Sequence, residues 1–208
     1  EMVVQRIRDA ILEGTLRPGD RLIEADIAAE LGISRGPVRE GIRLLAAATL
    51  LEHGTDDHKR RFLRRILTGE DTWCQLFSEP GSGSDLAGGT TRAAFDGTRW
   101  GVNGQKLWTT SAHHAHWGLL LARTDWDAPK HQGLSFFVID MHQPGVEVRP
   151  LKQMNGYASF NEVFFTDVKV PVANLVGEEN KGWNYAKHLL AHERTNIADV
   201  NRAKRELE

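Results

Sequence analysis

The residues from Trp73 to Gly88, "WCQLFSEPGSGSDLAG", bring glycines and serines together behind an apolar opening. Such a loop exposes consecutive backbone N–H groups that can surround a diphosphate, because glycine lets the main chain approach a ligand closely. The same composition also fits a plain surface loop. Here Glu79-Pro80 stiffens the way in, and Asp85 can hydrogen-bond back into the turn. His113, His114 and His116 offer imidazoles within "SAHHAHW", but no carboxylate accompanies them at ligand spacing, so they read as surface histidines and no metal site is expected. Cys74 is the only cysteine, which excludes an intramolecular disulfide and a metal site of paired cysteines. Arg35, Arg39 and Arg43 recur every four residues and share one helix face. Guanidinium groups so placed can bind phosphate or grip guanine through two parallel hydrogen bonds, or form a solvated face of a small bundle.

The elements that must position these residues fall into two kinds. Residues 1–67 read as helical: Val3, Val4, Ile7, Ile11 and Leu12 recur at helical spacing, and "GTLRPGD" breaks the pattern. A short helix with Ile27 and Leu31 inward follows, then the turn "LGIS". Ser34 is a natural N-cap for a third helix from about Arg35 to Leu51. "DDHKRRFLRRIL" is a basic helical stretch striped by Phe62, Leu63, Ile66 and Leu67. After Gly69 the texture changes to short runs such as "WCQLF", "TTRAAF", "HWGLLLART", "GLSFFVID" and "NEVFFTDVKV", spaced as in an all-β sandwich or barrel. Two turn signals, "DG" and "NG", bracket one strand in "FDGTRWGVNGQKLW". Helix returns from Gly182. The fold class is therefore α+β: a helix-turn-helix bundle, a central all-β domain and a single C-terminal helix.

Bulk charge narrows the partners. Lys+Arg 26 against Asp+Glu 28 leaves a net charge of -2, so nucleic-acid binding would need a local basic face. No apolar run approaches the roughly 20 residues of a membrane helix, and the start is amphipathic and unlike a signal peptide. A cytoplasmic protein with no membrane partner is expected.

The stretch "AILEGTLRPGDRLIEADIAAELGISRGPVREGIRLL" resembles the DNA-binding domain of GntR-family bacterial regulators. The resemblance implies Arg35 and Arg39 as contacts to duplex DNA, with Arg43 on the same face and Pro37 and Val38 setting the recognition helix. Gly36 departs from the residue that usually follows Ser-Arg, and Gly41 costs about 1 kcal/mol inside a helix. The family's two-stranded wing and effector domain have no counterpart here.

"CQLFSEPGSGSDLAG", "VNGQKLWTTSAHHAHW", "ARTD" and "NEVFFTDVKVPVANLVGEENKGW" together resemble the acyl-CoA dehydrogenase family over roughly Thr55 to Asn201. That resemblance implies a middle domain holding FAD. Gln75, Phe77 and Ser78 would line the flavin, and Gly83 and Ser84 would approach the diphosphate. Ser84 would also lie at the mouth of the acyl-CoA channel. Trp108 would pack on the ring, with Thr109 and Thr110 near N5; without the motif, Trp108 reads as a core aromatic. Arg194 would help bind acyl-CoA. The implied organisation is a GntR-like segment at 1–52, a residual helix at 53–71, the β domain at 72–180 and the first helix of a further domain at 181–208.

The implied chemistry is α,β-dehydrogenation of acyl-CoA thioesters, with hydride passing to flavin N5. The family's catalytic glutamate falls beyond Glu208. Glu79 and Glu193 match other motif positions, so no catalytic residue is assigned and the chain alone is expected to be an incomplete enzyme. The alternative is a DNA-binding regulator whose β domain senses flavin or acyl-CoA. The abrupt junction between Glu52 and Thr55 points to a fusion. A terminal helix without its bundle should leave apolar surface that drives homo-oligomerisation.

Overall fold

Strands β4 (Trp117–Arg123) and β5 (Leu134–Asp140) carry almost unbroken apolar runs, and a strand can do so only if both its faces are covered. In the computed structural model, which describes residues 39–154 and 158–197, both faces are. Leu119, Leu121, Leu134, Phe136 and Val138 point into a cluster shared with the helices, while Leu120, Ala122, Phe137 and Ile139 point the other way into a cluster between strands. β1 (Trp73–Leu76) runs parallel to β4 and divides its side chains alike: Trp73 joins the helical cluster, Cys74 and Leu76 the other.

β2 (Arg92–Phe95), β3 (Arg99–Thr110), β6 (Val146–Leu151), β7 (Phe160–Pro171) and β8 (Leu175–Val176) complete one sheet in the order β6-β7-β3-β2-β4-β5-β8. β3 and β7 are long antiparallel partners that alternate as half-buried strands must, with Trp100, Val102, Val163, Phe165, Val168 and Val170 inward. These meet the inner residues of β4 and β5, and the Trp100 ring lies 5.4 Å from that of Phe137. The sheet therefore folds over on itself as a sandwich.

The first turn signal behaves as expected. Asp96-Gly97 closes the β2–β3 hairpin: Gly97 has φ +98°, and the Asp96 carboxylate accepts from the N–H groups of Thr98 and Arg99. The second does not. Asn103-Gly104 lies inside β3, opposite a bulge on β7 where Asp167 takes φ +50°. The Asn103 amide donates to the Asp167 carboxylate and its carbonyl accepts the Asp167 N–H, so the side chain completes the ladder across the bulge. Gly104, at φ +148°, has no room for a side chain, because a Cβ would stand 2.7 Å from Thr91 Cα.

Helix α1 (Arg39–His53) extends two residues past the expected end. Thr55 then caps α2 (Asp56–His58) in a reciprocal box with His58, a π-helical turn (Lys59–Leu63) follows, and α3 (Arg64–Thr68) ends at Gly69 in the left-handed region. Arg65 clamps Asp71 through two hydrogen bonds of 2.8 Å, and this contact holds the Asp71 carboxyl below its usual range. The expected stripe is seen: Phe62, Ile66 and Leu67 are buried and Leu63 packs beside them.

α4 (Gly182–Ile197), expected as the first helix of a further domain, packs one face on α1 and β5. Ala186 and Leu189 are buried in the cluster that holds Leu44, Leu45 and Leu50 of α1 and Leu134 and Phe136 of β5. The helix can begin against β5 because Gly182 has no side chain; a Cβ there would lie 2.6 Å from the Ser135 backbone. Among the described residues no helix is long and apolar enough to cross a membrane.

Candidate functional site

A lysine at an inward position of β3 organises the site. Lys106 is 1% exposed, and its ammonium donates to Glu79 Oε1 at 2.8 Å and to the Phe77 carbonyl at 3.0 Å. Glu79 also accepts from the N–H and hydroxyl of Thr90 through Oε2 and from the Thr91 N–H through Oε1. Burial favours the neutral carboxyl, but Lys106 and these donors outweigh it and hold the Glu79 pKa down at about 2. Glu79 is thus a clamp between the Gly/Ser loop and the start of β2, and its fully engaged carboxylate cannot serve as a base.

Further bonds shape the loop. Glu79 and Ser82 exchange backbone hydrogen bonds of 2.9 and 3.0 Å, and the Ser82 hydroxyl donates to the Asp85 carbonyl at 2.5 Å. The exposed Asp85 carboxylate pairs with Lys130 at 2.8 Å. Arg123, buried at the end of β4, donates to the carbonyls of Ala87 and Gly89. Both flanks are therefore tied down, while the tip stays open. Gly83 and Ser84 are exposed, and among the described residues their N–H groups have no acceptor. A Cβ added at Gly81 or Gly83 would meet nothing within 4 Å, so nothing described in the chain demands glycine there.

The second segment lies alongside. Leu107 N–H donates to the Ser78 carbonyl at 2.8 Å, joining the two motifs directly. Next to this bond β3 bulges between Lys106 and Thr109, and the inserted Trp108 takes φ +57°, a conformation that costs a non-glycine residue about 1–2 kcal/mol. The bulge turns Trp108 outward, where it is 60% exposed and touches Phe160 edge-on. It is not a core aromatic. Thr109 is buried with its hydroxyl lacking a partner among the described residues, and its carbonyl accepts from the Asn161 amide. Thr110 is half-buried.

The structure thus brings together Phe77, Ser78, Trp108, Thr109 and Thr110, with Gly83 and Ser84 at the tip of the same loop; Gln75 is half-buried in β1. Glu79 and Lys106 as a buried pair were missed. The signal was present, since alternation along β3 puts Lys106 on the face of Trp100 and Val102. A charged residue at such a position needs a partner. Arg194 belongs to α4, and its expected role rests on a side chain outside the described residues; Arg35 lies outside them altogether. Arg39 is the first described residue of α1, and its side chain is likewise not described. Arg43 is half-buried with its guanidinium against Gly69, where an added Cβ would lie 2.9 Å from Nη1. From Leu44 to Ala47 four consecutive residues of α1 are buried, so this turn lies within the core.

Comparison with known proteins places the site in context. Residues 74–168 match the family described as acyl-CoA dehydrogenase, middle domain, and residues 1–54 match bacterial regulatory proteins, gntR family. The chain is 52% identical to the acyl-CoA dehydrogenase FadE34 of Mycobacterium tuberculosis over 153 residues, 74% of this chain and 22% of that protein. It is 46% identical to the acyl-CoA dehydrogenase IpdE1 of the same organism over 150 residues, 72% of this chain and 39% of that protein. Among solved structures, the Tcur3481-Tcur3483 steroid ACAD superposes with a TM-score of 0.71 at 36% identity, covering 74% of this chain and 40% of that one. The chain spans well under half the length of these relatives.

Proposed function

We propose, from the match of residues 74–168 to the acyl-CoA dehydrogenase middle domain, that the chain holds FAD for the α,β-dehydrogenation of an acyl-CoA thioester. The observation that carries this reading is the join at Leu107 and Ser78, which sets the outward-facing Trp108 next to the neck of the loop whose tip carries the open Gly83 and Ser84 N–H groups. The residues fit the cofactor. Phe77, Ser78, Trp108, Thr109 and Thr110 would hold the ring, with Gln75 at its margin, and Gly83 and Ser84 would take the diphosphate. When bound, FAD supplies an acceptor for the hydride leaving Cβ.

The chain's own residues do three things in this proposal. Trp108 would cover a ring face and exclude water from it. The unpartnered Thr109 hydroxyl and the Ser78 hydroxyl offer donors that favour one orientation. The Gly83 and Ser84 amides would offset phosphate charge. Ser84 and Arg194 would bind the thioester substrate. Removal of the Cα proton needs a carboxylate base within reach, and Glu79 does not supply it because Lys106 holds it. Association into a homo-oligomer belongs to the same proposal.

The test is a visible absorbance spectrum of the purified chain followed by an FAD titration read by flavin fluorescence. Saturable quenching supports the reading; no binding at high FAD removes it. A second reading rests on the gntR match over residues 1–54: duplex DNA bound through Arg35 and Arg39. A gel-shift with salt titration separates it from nonspecific attraction, since sequence preference must survive as the electrostatic background falls.

A further inference from the structure

Among the described residues, one group of side chains has the composition of a transition-metal site, and it lies apart from the flavin-type site. Glu52 and His53 end α1, and His188 lies on the facing side of α4. Glu52 Oε2 is 2.7 Å from His188 Nε2 and Glu52 Oε1 is 3.7 Å from His53 Nε2. All three ligand atoms fall within 4.8 Å of one another.

We propose that Glu52, His53 and His188 bind a zinc-like divalent cation that clamps α1 to α4. Two imidazoles and one carboxylate suit zinc and its neighbours, and three protein ligands leave a position for water. Donors on a tetrahedral zinc stand about 3.3 Å apart, given metal–ligand bonds of about 2.0–2.1 Å, so the present separations close around an ion with shifts of about an ångström. The side chains are 20–28% exposed. The His53 Nε2 atom is buried without a hydrogen-bond partner. Its ring is held from behind by Tyr185 at 4.4 Å, and the Tyr185 hydroxyl is itself fixed by the Glu178 N–H at 3.0 Å. A cation here would tie the gntR-matching segment to the helix that follows the β sandwich, and by mass action would stabilise their packing.

The experiment uses the whole chain, stripped with chelator and titrated with Zn²⁺ by calorimetry, with Co²⁺ as the spectroscopic probe. One equivalent of Zn²⁺, a rise in Tm on binding and an intense tetrahedral-type Co²⁺ spectrum are expected. His188→Gln should lose affinity by tenfold or more, at least the roughly 10–100-fold that even outer-shell changes cause. A chain carrying His113→Gln, His114→Gln and His116→Gln should bind as the parent does. Absence of saturable Zn²⁺ binding overturns the proposal. So does unchanged affinity in the double variant His53→Gln, His188→Gln, which would mean only adventitious capture at other histidines. Because the Co²⁺ spectrum is read on the unmutated chain, a weak octahedral-type spectrum also overturns it, whatever the variants' folding.

Discussion

Lys106 Nζ and Glu79 Oε1 meet at 2.8 Å in the interior, although 27 residues separate them. One lies at an inward position of β3 and the other at the neck of the Gly/Ser loop. Their contact fixes the distance between the two segments that the proposed flavin needs together. Breaking a buried pair by removing one partner typically costs about 3–5 kcal/mol, because the other charge is left uncompensated. Lys106→Met is therefore expected to destabilise the chain by an amount of that order. Urea unfolding followed by fluorescence would show it, and an unchanged midpoint would mean the pair contributes nothing.

The same pair sets an acid limit. Glu79 titrates at about 2 in the folded chain, below the roughly 4.3 of an unfolded glutamate. A depressed carboxylate pKa contributes stability that is fully present above the unfolded value and is lost as pH falls through the folded one. Stability should decline between about pH 4.3 and pH 2. Glu79→Gln should flatten that part of the curve, and a parallel decline in the variant would assign the acid limit to other groups, Asp71 among them.

Trp108 separates binding from folding. Its exposed ring and strained φ mean that the chain gains little from it, and surface substitutions usually change stability by no more than about 0.5 kcal/mol. Trp108→Ala should leave Tm nearly unchanged while flavin affinity falls more than tenfold. If flavin binds Trp108→Ala as tightly as the parent, the ring is not part of the cradle.

Two glycines give opposite expectations. Gly83→Ala meets open space within the chain, so stability should hold and only affinity for a phosphorylated ligand should fall. Gly104→Ala forces a Cβ to 2.7 Å from Thr91 Cα at φ +148°, a strain of about 1–3 kcal/mol. Thermal melts of both variants test the pair, and a Gly83→Ala chain that melts as low as Gly104→Ala would remove the ligand explanation for the loop.

What the sequence made legible followed burial periodicity. The runs of β4 and β5 and the alternation of β3 and β7 read directly, because sheet burial repeats every two residues. Asn103-Gly104 misled because the pair suits a hairpin turn as well as a strand position facing a bulge, and only the partner strand distinguishes them. Trp108 was ambiguous for the same reason: strand alternation cannot register a one-residue insertion that turns a ring outward. The docking of α4 on α1 depended on contacts between residues well over a hundred positions apart, which no local pattern encodes.

The last prediction concerns where the two family matches join. Residues 1–54 match the gntR family, yet Leu50 at the end of that match is completely buried in the cluster that also contains Phe62, Trp73, Leu119 and Phe136. A helix so placed shares its apolar core with the β sandwich, so the two cannot unfold independently at this point. Leu50→Ala leaves a cavity in that shared core and should cost about 2–5 kcal/mol. The loss should appear in one cooperative transition, lowering the melting of the sheet, read by near-ultraviolet dichroism of Trp73 and Trp117, together with that of the helices, read in the far ultraviolet. Two separated transitions, with the sheet signal unmoved, would instead mean that α1 belongs to an autonomous DNA-binding unit.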